Sequence, residues 1–209
     1  MNTEHQALLE QMQAMHRQLA QSKQQEHARD LPFQDLMADR WERAARLGWG
    51  EGSSVYESVV ILGEVEVGEN TWVGPNVILD GSGGLRIGGN CSISAGVQVY
   101  THDSVARRVT DGKQDLKCAP TVIEDSCHVG AQAVIVPGVG VGHHSVIGAH
   151  SFLKIDVPPY SLAYGVPATV QGTIRIVDGN FEVERSAASR TLEERIAALE
   201  ARIATLEND

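Results

Sequence analysis

The chain is short of positive charge. Against 27 Asp and Glu it carries 17 Lys and Arg, for a formal net charge of -10 and an acidic pI near 5.2. That balance argues against nucleic acid or an anionic membrane surface as the partner. It leaves room for a local basic site toward a phosphorylated cofactor. Cysteine is scarce and odd in number, with Cys91, Cys118 and Cys127 the only three. No apolar run reaches the length of a membrane span, and the polar N-terminus is not a signal peptide. These absences predict a cytoplasmic protein with no membrane insertion.

What is present is a beat of six. Val55, Ile61, Val67, Val73 and Leu79 are followed, after a two-residue slip, by Ile87, Ile93 and Val99. After a long interruption Ile123, Val129, Ile135, Val141, Ile147 and Leu153 resume in register. Small or β-branched residues sit two positions earlier, among them Ser53, Val59, Thr71, Cys91 and Cys127. A fixed six-residue period with frequent Gly predicts a parallel β-helix: one short strand and a corner per unit, three units per coil, coils stacked on one another. Both residues of each pair point inward, by the two-residue period of a strand. Cys91 and Cys127 therefore read as buried structural thiols. The Gly that follows the aliphatic residue at 68, 74, 88, 130, 142 and 148 is expected to relax the corner backbone.

The ends differ from the middle. Leu8, Met12, Met15 and Leu19 have amphipathic helical spacing. That helix either packs on the end of the β-helix or joins other subunits. Residues 34–47 predict a second short helix anchored by Leu36, Trp41 and Leu47, after the break at Pro32. Beyond Leu153, two prolines end the coil, and an extended segment is expected to run back along it. Asp178-Gly179-Asn180 between alternating residues signals a hairpin. Leu192, Ile196, Leu199, Ile203 and Leu206 form a heptad seam. Ile at a with Leu at d favours two strands, but Arg195-Ile196-Ala197-Ala198-Leu199-Glu200 and its repeat from Arg202 to Glu207 match a short trimer pattern. We read a trimer; a lone helix packed on its own subunit stays open. The expected divisions are 1–50 (helical), 51–170 (β-helix, with a loop at 100–121), 171–187 (hairpin) and 188–209 (coiled coil).

The loop is where chemistry is expected, because repeats accept insertions only as loops on one face. His102 stands just past the inward Val99, where the chain leaves the coil. A rigidly placed imidazole is the usual general base for a hydroxyl. Asp103 is adjacent, but neighbours in a strand point apart, so it need not orient His102.

Val99-Tyr100-Thr101-His102-Asp103, the resumption at Thr121-Val122-Ile123, Ser145-Val146-Ile147-Gly148-Ala149, Asp156-Val157-Pro158-Pro159 and Gly165-Val166-Pro167-Ala168 resemble the hexapeptide-repeat acyltransferases. The likeness is to their maltose and galactoside O-acetyltransferase and surface-polysaccharide O-acetyltransferase branch. The resemblance implies an all-β, left-handed parallel β-helix of hexapeptide repeats, here with N-terminal helices and a C-terminal coiled-coil helix. It implies acetyl-CoA as donor, a sugar or polysaccharide-precursor hydroxyl as acceptor, no metal, and a homotrimer with active sites between subunits. It places the catalytic base on His102, acceptor contacts on Asp80 and Asp103, and cofactor contacts on Ala131, Ala149 and Lys154. Lys154 departs from the family pattern by one position, which in a strand reverses its direction. Asp80 reads equally as a turn residue before Gly81.

Two other functions compete. A zinc carbonic anhydrase can use the same fold, but needs three His across a subunit boundary, and His128 has Ala133 rather than His five residues on. His143, His144 and His150 fall at corners or outward positions. A non-catalytic trimeric scaffold would leave His102 dispensable.

Overall fold

The structure, a computed structural model, describes residues 3–185 together with 196, 197 and 203. Its body is the expected left-handed parallel β-helix, with strands stacked in three faces. The first face stacks Ser54–Val55, Trp72–Val73, Ser92–Ile93, His128–Val129, Val146–Ile147 and Ser161–Gly165. The second begins with Val60 and Ile78 and continues through Gln98–Val99, Val134–Ile135 and Phe152–Leu153. The third follows from the later halves of Val60–Val67 and Ile78–Ile87 to Thr121–Ile123 and Gly140–Val141. Every inward aliphatic position is buried except Ile61, and every small position except Val65. Both exceptions lie in the first coil, which has no coil beneath it.

The corners are made by left-handed residues. Asn76, Gln132 and His150 turn the corner from the first to the second face, and Asn70, Asn90, Ser126, His144 and Tyr160 turn the one from the third to the first. Asn is the side chain that tolerates this conformation best. The glycines at 68, 74, 88, 130, 142 and 148 have a different job from the one expected. None has positive φ. Each faces the next coil so closely that a side chain has no room: a Cβ on Gly130 would lie 2.5 Å from Ala149 N, and one on Gly68 2.6 Å from Gly89 N. Coil spacing, not corner freedom, requires them.

The two-residue slip is a bulge. Gly63 pairs with Gly81, but Val65 pairs with Leu85, so the register offset grows between them. The extra residues sit directly beneath the loop. The loop leaves at Thr101 and returns at Thr121, both fully buried. It holds a two-strand ladder, His102–Asp103 against Lys117–Cys118, and a short helix.

At the N-terminus α1 (Thr3–His27) is followed by α2 (Phe33–Met37) and α3 (Arg40–Arg46). The single helix expected over residues 34–47 is broken at Ala38, which is extended, and restarts where Asp39 accepts hydrogen bonds from the Trp41 and Glu42 amides. Leu36 is buried as expected, but Trp41 and Leu47 are 49% and 38% exposed. Ala44 and Trp49 close the core instead, and Trp49 Nε1 donates to the Val65 carbonyl at 3.2 Å. Arg43 ties α3 to the first coil through the Tyr56 and Val59 carbonyls. The helix of the loop is α4 (Val105–Val109).

Past Pro158 and Pro159 the chain adds Ser161–Gly165 to the first face, then returns antiparallel as Ala168–Val177. Asp178 and Gly179, both left-handed, turn into Asn180–Arg185, which is the expected hairpin. The heptad seam from Leu192 to Leu206 lies outside the described residues apart from Ile196 and Ile203. No helix among the described residues is long and apolar enough to cross a membrane.

Candidate active site

The inward Leu79 and Val99 pair across neighbouring coils. The residues just past them, Asp80 and Tyr100-Thr101-His102, therefore meet at the corner between the second and third faces. There the Asp80 carboxylate, wholly buried, gathers the start of the loop. Its Oδ2 accepts from the Thr101 amide at 2.9 Å, the His102 amide at 3.2 Å and the His102 ring Nδ1 at 2.7 Å. Its Oδ1 accepts from the Ser82 amide at 3.1 Å. Thr101 Oγ1 donates to the Asp80 carbonyl at 2.7 Å and accepts from the Gly83 amide at 2.8 Å. The bulge is what brings Ser82 and Gly83 within reach.

Burial alone pushes the Asp80 carboxyl up. The hydrogen bonds from Ser82, the Thr101 amide and the His102 ring outweigh it and hold the group well below the usual carboxylate range. An ionised carboxylate only accepts, so the proton between the two side chains sits on Nδ1; in the neutral imidazole the lone pair is then on Nε2. The imidazole is two-thirds covered. Its tautomer is fixed by Asp80, and the β-helix holds the ring from behind.

The other expected site residues are distributed as follows. Asp80 was expected to line an acceptor pocket; its carboxylate has no solvent exposure in the protomer, because the loop folds over it and its oxygens are taken up by Ser82, Thr101 and His102. Asp103 is exposed, and its Oδ1 accepts from the Val105 amide, starting α4. Ala131 and Ala149 stack on adjacent coils at the corner between the first and second faces, where the His150 amide donates to the Ala131 carbonyl at 2.9 Å. Lys154 follows Leu153 as Tyr100 follows Val99, so it lies on the His102 corner and not with the two alanines. Within one protomer the second face separates His102 and Lys154 from Ala131 and Ala149.

Sequence reasoning missed the His102–Asp80 bond and the bracing by Thr101. The signal was present: one coil of eighteen plus the two-residue slip puts Asp80 level with Tyr100. Of the remaining histidines, His143 and His144 approach at 3.0 Å between their Nδ1 atoms, with Tyr160 stacked on His144. No group of three or more His, Cys, Asp or Glu placed to hold a metal occurs among the described residues. Cys91 and Cys127 are buried as expected, with their thiols directed at the Glu124 and Gly142 carbonyls.

Comparison with known proteins agrees with this architecture. A family model, hexapeptide repeat of succinyl-transferase, matches residues 64–101 and 120–153, leaving out the loop. Galactoside O-acetyltransferase of Escherichia coli strain K12 is 32% identical over 135 residues, which cover 55% of this chain and 66% of that protein, just under two thirds of its length. A hexapeptide-repeat-containing acetyltransferase from Vibrio cholerae has a solved structure 29% identical to this chain, with a TM-score of 0.60 over 78% of this chain and 92% of that one. A galactoside acetyltransferase solved in complex with coenzyme A shares the fold at 23% identity, with a TM-score of 0.58 over 82% of each chain. In its repeats, its coil-breaking loop and these likenesses together, the chain is similar to the hexapeptide-repeat acyltransferases.

Proposed function

We propose that this protein is an O-acetyltransferase that moves an acetyl group from acetyl-CoA to a hydroxyl of a sugar or polysaccharide precursor. The observation that carries the reading is the 2.7 Å bond between His102 Nδ1 and the buried Asp80 carboxylate. The acceptor hydroxyl gives its proton to Nε2 as its oxygen attacks the thioester carbonyl. The C–S bond then breaks, the thiolate of coenzyme A leaves, and His102 returns the proton to it. No covalent enzyme intermediate is required. Asp80 keeps the tautomer and steadies the imidazolium while it exists. Asp103, whose second carboxylate oxygen is free of the α4 start, is the acceptor contact from the loop.

Ala131 and Ala149 fit a donor lying along their corner. Their side chains are small, and Gly130 is flush with the wall. The crystallised galactoside acetyltransferase with coenzyme A supports the choice of donor. Because the His102 corner and the alanine corner lie on opposite edges of one face, a single protomer does not line both sides of the donor. A second copy supplies the missing wall, and a homotrimer with three such sites satisfies every copy. Lys154 then approaches the donor phosphates from the His102 side.

The test is calorimetric titration with acetyl-CoA, followed by thiol release with candidate sugar acceptors. The expected result is about one donor per chain, with His102→Ala binding donor normally while kcat falls by roughly 10²–10⁴. Absence of binding at millimolar donor would sink the reading in favour of a scaffold.

A further inference from the structure

We infer that Thr101 is a positioning residue for His102: its buried hydroxyl locks the bulge that carries Asp80, and through Asp80 it sets the orientation of the imidazole. The need for a lock follows from the strand ladder. The strand Ile78–Ile87 pairs with the next coil through Leu79 and Val99, and again from Leu85 and Thr121. Over residues 80–84 that ladder is interrupted, as a bulge leaves residues unpaired. Buried backbone polar groups there still need partners. The Thr101 hydroxyl serves two of them, donating to the Asp80 carbonyl at 2.7 Å and accepting from the Gly83 amide at 2.8 Å. One side chain therefore spans the bulge from Asp80 to Gly83. There is no slack around it, since Thr101 is fully buried and a Cβ on Gly83 would lie 2.4 Å from the Thr101 carbonyl oxygen. Thr101 also holds the carboxylate, its amide donating to Asp80 Oδ2 at 2.9 Å. Asp80 is thus fixed at its carbonyl by the Thr101 side chain and at its carboxylate by the Thr101 amide. That double hold keeps Oδ2 at 2.7 Å from His102 Nδ1.

Thr71 shows what the same side chain does without a base beside it. It is buried, and its hydroxyl makes the same pair of bonds, donating to the Gly88 carbonyl at 2.8 Å and accepting from the Cys91 amide at 3.0 Å. It stands at the corner between the third and first faces, away from the loop. A buried Thr that braces neighbouring coils is therefore a recurrent part of this wall. Thr101 differs in that one partner is the residue bonded to the His102 ring. Loss of either hydroxyl weakens the wall, but loss of the Thr101 hydroxyl also frees the carboxylate from the imidazole. The kinetic consequence rests on the acetyl-transfer reading, and the tautomer consequence does not.

The experiment uses the full chain and compares Thr101→Val, which removes the hydroxyl, with Thr101→Ser, which keeps it, and with Thr71→Val. The first readout is the ¹⁵N spectrum of the neutral His102 ring at alkaline pH, assigned by its loss in His102→Ala. Wild type and Thr101→Ser should carry the proton on Nδ1, and in Thr101→Val that signature should give way to the Nε2–H form. The second readout is thiol release from acetyl-CoA. In Thr101→Val kcat should fall at least tenfold with acetyl-CoA affinity unchanged, and in Thr101→Ser and Thr71→Val it should stay within threefold of wild type. An Nε2–H ring in wild type, an unchanged Nδ1–H ring in Thr101→Val, or an equal loss of kcat in Thr71→Val would overturn the inference. Should Thr101→Val not fold, Thr101→Ser decides, since loss of the Nδ1–H signature there would overturn it as well. Absence of turnover in wild type would count against the acetyl-transfer reading and leave the spectra to judge Thr101.

Discussion

Replacing Asp80 by Asn separates the charge of the carboxylate from its shape. Oδ2 receives three N–H groups, from Thr101, His102 and the His102 ring, whereas Oδ1 receives the Ser82 amide. An Asn with its NH₂ at the Oδ2 position would set donor against three donors. The chain avoids this by placing the NH₂ toward Ser82, which leaves the part-buried Ser82 amide without its acceptor at a cost of about 1 kcal/mol. The His102 ring keeps a partner in that arrangement, but a neutral one. An opposite charge at 4 Å is worth about 4 kcal/mol at an effective dielectric of 20, and part of that supports the imidazolium formed as the hydroxyl is deprotonated. The expected result for Asp80→Asn is a kcat roughly 10²–10³ lower, by steady-state thiol release, with donor affinity unchanged by calorimetry. Acid stability gives an independent check. A carboxyl held low in the folded state stabilises the fold above its unfolded value near 4 and loses that contribution as pH falls toward the folded value. Wild type should therefore lose stability below pH of about 4 along a slope that Asp80→Asn lacks. A variant that melts like wild type and turns over within threefold of it would refute the role given to Asp80.

The other predictions concern the two corners and the coil spacing. His102→Ala should retain the fold and the donor while losing the hydroxyl transfer, since Asp80 keeps its bonds to Thr101 and Ser82; wild-type turnover would remove His102 from the mechanism. Ala149→Trp should weaken acetyl-CoA binding at least tenfold by filling the proposed groove, read by calorimetry, with circular dichroism unchanged. Gly130→Ala forces a Cβ to within 2.5 Å of the Ala149 amide nitrogen; it should cost about 1–3 kcal/mol and lower Tm by several degrees. An unchanged Tm would show that the coils separate more easily than their backbone hydrogen bonds suggest.

Much of this molecule is written in a one-dimensional pattern. Because each coil touches only its neighbours, the six-residue beat determines which side chains face inward, and Val55, Leu79, Ile123 and Leu153 are buried as that beat requires. The same logic places Cys91 and Cys127 in the wall, exposes the loop at residues 100–121, and stacks Ala131 on Ala149. The Asp178-Gly179 turn is equally local, since both residues need left-handed backbone. Interpretation failed where neighbours come from different coils. The glycines look like corner residues in sequence, but their partners are backbone atoms a full coil away. Trp41 looks like an anchor by hydrophobicity, yet Ala44 and Trp49 reach the core first. Asp80 looks like a turn residue, and its Oδ1 does accept from the Ser82 amide, but a two-residue slip hides its alignment with Tyr100. Only the stacked structure puts its carboxylate under the His102 ring, and only it shows that His102 and Ala149 occupy opposite edges of one face. A periodic sequence determines what points in and what points out; which residues meet across coils depends on register, and register changes at each irregularity.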